Sequence, residues 1–392
     1  MMLKPQQLSE LREQVLDIVQ SLVRVKSYSG DEGAVIEIVT GWMNQLGYED
    51  IRLDACGNVV GKLSSGKPGP VVLYDAHVDT VPALDESEWT YPPFGGEITD
   101  DRIWGRGSTD MKGPLAAALV GLAAAKIDGT LRGTVFLSAS VGEEHIEGVA
   151  LEPVVKHYSP DLVVICEPTA NKLATAQRGR AEIEVLVHGK SAHASNPDVG
   201  VNAFRNMSRL VVELDKLEPP TDAQLGAGIL EPTAVISSPY PNVSVVPFLC
   251  SARYDRRLLV GEGADEVLAP VQAVIDRMSA EDPQFKAMAN ILPGKFTCYT
   301  GHVLEQETLA PAWRMETDHH FVQAAQGALH DVELSHYSFC TNGSYSLGRA
   351  GIPTLGYGPG YEYHAHIVDE YLELAQLFGA LEGYYALAGI EG

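Results

Sequence analysis

Imidazoles and carboxylates recur along this sequence in settings that a divalent cation favours. They are His77 with Asp79 in HVD, Asp110 in GRGSTDMKG, Glu143 and Glu144 in VGEEH, Glu167 in CEPT, and His366 in AHIVDE. Nitrogen and oxygen donors of this kind form the ligand set of zinc and its divalent neighbours. Any one of them alone would read as a loop or capping residue. The set reads differently, because Glu143 and Glu144 stand side by side at the end of an apolar strand and repel one another unless a cation or proton resolves them.

The elements that position these residues are legible in the apolar pattern. VVLYDAHVDTV, GTVFLSASVGEE and DLVVICEPT each begin as a short β-branched core strand and end in carboxylates or a histidine. In open α/β sheets, side chains just past the carboxyl ends of the strands converge on one crevice. LAAALVGLAAAKI after Gly113 predicts the buried helix between two of these strands. Leu8, Leu11, Val15, Ile18, Val19 and Leu22, spaced by three and four, predict an amphipathic N-terminal helix, and a second helix is expected over Glu32 to Leu46. From Arg178 the texture changes to the alternating AEIEVLVHGK, a helix from about Asn202 to Leu217, and SVVPFLCSARYDRRL as a further strand. This reads as an α+β unit inserted in the first domain.

At 392 residues with 45% in the hydrophobic set and 20% charged, the chain is expected to hold two or three domains and to bury a real core, and a disordered or low-complexity chain is excluded. Its formal charge of −24 repels phosphate backbones and anionic lipid, so nucleic acid and membrane are poor partners. Cys56, Cys166, Cys250, Cys298 and Cys340 are an odd, scattered count, which points to reduced, packed thiols rather than a disulfide framework. The first twenty residues lack a signal-peptide pattern and no run of 18 apolar residues occurs, so a cytoplasmic location is expected.

HxD, the GRGSTDMKG loop, the EE pair, CEPT, GKSAHASNPDVGVNA and AHIVDE, in that order, resemble the M20 metallopeptidase and deacylase family from about residue 8 to the C-terminus. The TNG and YGPG segments are most similar to its YgeY-type hydrolase branch. The resemblance implies a two-domain α/β fold. A mixed-sheet catalytic domain would span residues 1–178 and 298–392, with an α+β lid and dimerisation domain at 179–297. It implies two divalent ions, zinc by preference with cobalt or manganese as alternatives. Asp110 would bridge them, with His77 and Glu167 on one and Glu144 and His366 on the other; His364 competes with His366 in the same YHAH run. Glu143 would be the general base, Asp79 would orient His77 through its second ring nitrogen, and His193 would reach across a homodimer to an oxyanion. Arg257 would hold a substrate carboxylate, with Arg256 as its neighbour and rival. Asn342, where many relatives carry Asp, and Gly343 would touch substrate. The reaction implied is hydrolysis of an N-acetyl, N-succinyl or N-carbamoyl amino acid. A dipeptidase or carboxypeptidase stands as the alternative, and a non-catalytic amino-acid-binding protein as the reading of another class.

Overall fold

The computed structural model describes residues 5–241 and 244–391. The chain divides into two compact units: the first runs up to Gln177 and includes Lys295–Glu305 and the chain from Trp313 onward, and the second is Arg178–Gly294 with Gln306–Ala312. The second unit thus has a short return beyond the expected limit at 297. Its cause is a two-residue strand, Leu309–Ala310, which pairs with Ala181 and Arg180.

The first unit is built on a mixed sheet. Its strand order is Glu49–Leu53, Val59–Ser64, Thr134–Ser140, Val71–His77, Leu162–Ile165, Thr354–Gly356, Leu173–Gln177 and Trp313–Arg314, with Leu334–Tyr337 also paired to Leu173–Gln177. The three strands foreseen from their β-branched runs lie side by side and parallel. His77 is level with Ser140, and Asp75 with Ile165. Register therefore delivers His77, the Glu143–Glu144 turn and Glu167 to one edge of the sheet.

The helix Gly113–Ile127 connects Val71–His77 to Thr134–Ser140 and is buried at every position from Gly113 to Ala125. A helix apolar all round has no face to give to water. It packs against Pro5–Val23, Leu374–Leu387 and the sheet, so the loop just before it, which carries Asp110, is anchored in the core. The second helix spans Gly33–Gln45 and ends where Gly47 takes φ +77°, as the sequence suggested.

In the second unit the strands Ile229–Ser238, Leu249–Leu258, Gly179–His188 and Lys286–Ile291 form an antiparallel sheet in that order. Helices Ala203–Leu214 and Ala264–Glu281 pack on it around Val185, Met207, Leu210, Tyr254 and Ile275. The predicted strand at SVVPFLCSARYDRRL begins only at Leu249, because Pro247 has no N–H for a ladder. All five cysteines are free and buried. Among the described residues no helix is long and apolar enough to cross a membrane.

Candidate metal centre

Two three-residue clusters share one carboxylate. His77, Asp110 and Glu167 offer donor atoms within 4.8 Å of one another, and so do Asp110, Glu144 and His366. Asp110 divides its oxygens between them: Oδ1 lies 3.0 Å from His77 Nε2, and Oδ2 lies 3.2 Å from His366 Nε2. His77 Nε2 is also 3.3 Å from Glu167 Oε1, and His366 Nε2 is 3.1 Å from Glu144 Oε1.

The tautomer of His77 follows from its other nitrogen. Nδ1 lies 2.9 Å from the carbonyl oxygen of Asp79, which can only accept, so Nδ1 carries a proton and Nε2 is the nitrogen turned toward three carboxylates. That arrangement repels itself unless a positive charge sits among the donors. Although burial works against it, the carboxylates of Glu167, Asp110 and Asp79 hold His77 well above the usual imidazole range. Hydrogen bonds that His366 donates to the Asp110 and Glu144 carboxylates raise it to about 10. Burial, reinforced by Asp110, pushes Glu167 up to about 7 and raises Glu144 as well. Asp110 moves the other way: burial opposes ionisation, but His366 and His77 draw it below the ordinary carboxylate range. In addition, Glu143 Oε1 and Glu167 Oε2 are buried with no hydrogen-bond partner. An all-N/O donor set, a shared carboxylate and orphaned buried oxygens fit a pair of divalent cations.

Asp79 works differently from the sequence expectation. Its carbonyl is the closer partner of the His77 ring, while its carboxylate Oδ1 is 3.5 Å away. That carboxylate accepts instead from the backbone N–H groups of Glu143 and Glu144, at 3.1 Å each, and from Ser29 Oγ at 2.7 Å. One residue therefore orients both the histidine and the turn opposite it. Glu143, 5% exposed, brings Oε2 to 3.9 Å from His77 Nε2, and burial pushes its carboxyl well above the ordinary range.

His364 lies outside both clusters. It is buried among Tyr361, Tyr363 and Tyr371, with Nε2 3.0 Å from the Tyr371 hydroxyl. His366, with its side chain 51% exposed and φ +62°, is the histidine that faces Asp110.

The sequence expectation for Asn342 is a substrate contact; in the structure its amide is engaged inside the first unit. Nδ2 donates to Asp75 Oδ2 at 2.8 Å and to Ser140 Oγ at 3.1 Å, and Oδ1 accepts from Gly148 N–H at 2.7 Å. Gly343 is likewise buried, and a Cβ there would lie 2.5 Å from Trp313 Nε1. Both residues serve the frame.

His193, Arg256 and Arg257 belong to the second unit. Arg256 is buried and paired with Glu262, so its charge is already met. Arg257 points to the opposite face of its strand, more open at 29%, with Nε donating to Asp255 Oδ1 at 2.7 Å. His193 is exposed; its Nδ1 accepts from Ser195 N–H at 3.1 Å, with Ser195 Oγ at 2.7 Å.

Two supporting residues escaped the sequence reading. Glu370 Oε1 accepts from the N–H groups of Thr109 and Asp110, at 3.0 and 3.2 Å, and its Oε2 pairs with Arg106. Arg106 also donates to Ile367 O at 3.2 Å and lies over the Trp89 ring. The loop of Asp110 and the loop of His366 are thereby tied by one buried ion pair. The signal lay in GRGSTD and HIVDE, but nothing in either segment names the other as its partner.

Residues 73–389 match the family model described as peptidase family M20/M25/M40. YgeY of Escherichia coli (strain K12), an uncharacterised protein, is 31% identical over 365 residues, covering 90% of this chain and 88% of that one. A probable succinyl-diaminopimelate desuccinylase of Staphylococcus aureus (strain MRSA252) is 28% identical over 346 residues, covering 81% of each. Among solved structures, the aminopeptidase PepT from Bacillus cereus ATCC 10987 superposes with a TM-score of 0.74 at 18% identity, over 96% of this chain and 98% of that one. With a site of this composition at the sheet edge and a family match over most of its length, the chain belongs to peptidase family M20/M25/M40 and is a hydrolase of amide or peptide bonds.

Proposed function

We propose that the protein is a dinuclear metal-dependent amidohydrolase that releases an amino acid from its N-acyl, N-succinyl or N-carbamoyl form. The observation that carries the reading is the division of Asp110 between two clusters, Oδ1 toward His77 and Oδ2 toward His366. His77 and Glu167 would hold one cation and Glu144 and His366 the other, with zinc favoured and cobalt or manganese also suited to the donors. Such a pair supplies Lewis acidity toward a carbonyl and makes a water acidic enough to lose its proton near neutral pH.

Glu143 would take that proton. Its buried, unpartnered Oε1 and raised affinity for a proton suit a group that must hold the proton and pass it to the leaving amine. Ser195 N–H donates to His193 Nδ1, so the neutral ring keeps its proton on Nε2, free to donate to an oxyanion. In this reading the chain works as a cytoplasmic homodimer, and His193 of the partner subunit completes the site. Arg257, the more open of the two adjacent arginines, would receive the carboxylate of the substrate.

The test is amine release by purified protein reconstituted with zinc, cobalt or manganese, across N-acetyl, N-succinyl and N-carbamoyl amino acids and dipeptides. Glu143→Ala is expected to bind two ions per chain and turn over at least ~100-fold more slowly, as loss of a general base requires. Asp110→Ala is expected to lose metal as well as activity. Near-normal turnover by Glu143→Ala, or a stoichiometry of one ion in the wild type, would sink the reading. Cleavage of dipeptides alone would move the substrate class to peptides.

A further inference from the structure

The turn that carries Glu143 and Glu144 is held by two carboxylates. Asp79 takes the N–H groups of Glu143 and Glu144. The preceding N–H, that of Gly142, goes to Oε1 of Glu32 at 3.1 Å. The same oxygen accepts from Gly30 N–H at 3.0 Å, so Glu32 joins the segment before its helix to the Glu143 turn.

Glu32 is wholly buried, and burying a carboxylate is costly without a return. Its own helix is not that return. Glu32 stands at the N-cap of Gly33–Gln45, yet its side chain makes no capping bond there and turns back toward Gly142. Oε2 has no hydrogen-bond partner, so the bonds of this group run through one oxygen. What that oxygen fixes is a peptide in an unusual conformation: Gly142 has φ +68°, and a Cβ there would lie 2.4 Å from the Phe296 ring.

We propose that Glu32 is a positioning residue for the metal-and-base turn: by holding the Gly142 amide it sets where Glu143 and Glu144 project, without touching either cluster itself. The inference rests on the reading of Glu143 as base and Glu144 as ligand. Releasing the amide lets the Gly142 peptide rotate, which displaces Glu143 from its reacting partner and Glu144 from Asp110 and His366. The His77, Asp110 and Glu167 cluster has no bond to Glu32 and is unaffected. The geometry also separates reach from charge, since a glutamine keeps the acceptor at the same distance and an aspartate keeps the charge one methylene short.

The experiment compares Glu32→Gln and Glu32→Asp with the wild type, all confirmed as folded by thermal melting. It reads kcat, KM and the stepwise zinc dissociation constants by competition with a chromogenic chelator. Glu32→Asp is expected to lose ~10- to 100-fold in kcat with KM within about threefold, and to weaken the second zinc step by roughly tenfold while leaving the first unchanged. Glu32→Gln is expected to match the wild type in all three. Wild-type kcat and zinc affinities in Glu32→Asp would overturn the proposal, and so would an equal loss in Glu32→Gln, which would assign the effect to charge. A failure of the functional reading shows separately, because Glu143→Ala would then remain active while the zinc steps still report on Glu32.

Discussion

Arg106 and Glu370 are 3% and 0% exposed and in direct contact, so Arg106→Met leaves a carboxylate buried beside Asp110 without its guanidinium. Breaking a buried pair from one side costs on the order of 3–5 kcal/mol when the remaining charge stays ionised. Glu370 has a way to reduce that cost. Burial already pushes its carboxyl up to about 7 with Arg106 in place, and removal of the guanidinium raises it further. A carboxyl whose folded pKa is raised stabilises fully at low pH and loses that stability as pH rises through the folded value.

In metal-free protein the deficit of Arg106→Met should therefore grow with pH. From pH 7 to 8.5 the wild type ionises Glu370 and the variant does not, a difference of roughly 2 kcal/mol at about 1.4 kcal/mol per pH unit. Lost hydrogen bonds add about 1 kcal/mol at any pH. At about 2 °C per kcal/mol for a large folding unit, Arg106→Met should melt roughly 6 °C below the wild type at pH 8.5 and about 2 °C below at pH 5.5. Adding Glu370→Gln, whose Oε1 still accepts from Thr109 and Asp110, should remove the pH dependence and recover part of the loss. A deficit equal at both pH values, or one under about 1 °C at pH 8.5, would refute the assignment of this pair as the tie between the loops of Asp110 and His366.

Burial pushes Asp75 up to about 6, against the hydrogen bonds of Asn342, Ser138 and Ser140. Metal-free wild type should therefore lose stability between about pH 4 and 6, and Asp75→Asn should remove that slope, gaining about 2–3 kcal/mol on the wild type across the interval; parallel denaturation curves would count against it. Gly142→Ala must place a Cβ 2.4 Å from Phe296 at φ +68°. A melting temperature lower by a few degrees, for about 1–2 kcal/mol of backbone strain, and a kcat down by ~10-fold or more are expected. An unchanged kcat would mean that the conformation of this turn does not govern Glu143.

The strands that end in the clustered histidine and carboxylates were readable because their signal is local: a β-branched run, then polar residues, in three places, with a buried helix between two of them. Parallel pairing then put the three ends at one edge. What was not readable is pairing across the chain. Glu32 with Gly142, Asn342 with Asp75, and Arg106 with Glu370 join residues more than 100 positions apart, and no periodicity encodes such a match. Asp79 shows a finer limit. HxD pointed to a carboxylate on the histidine; the backbone carbonyl of Asp79 is the closer partner at 2.9 Å, and the carboxylate, 3.5 Å from the ring, also holds two amides of the turn. The start of the Leu249–Leu258 strand was missed for a local reason, a proline inside an otherwise alternating run.

The unequal shielding of the two histidines has a kinetic meaning. His77 ends a central strand and is 1% exposed, so withdrawing it requires the sheet itself to open. His366 stands on a loop with half its side chain in water, and such segments open at a fraction of the global unfolding free energy. Of two cations held at the Asp110 clusters, the one beside His366 would therefore exchange first. The rim imidazole can withdraw and return while the strand-end cluster stays assembled, so the two clusters would differ in how readily they open to water.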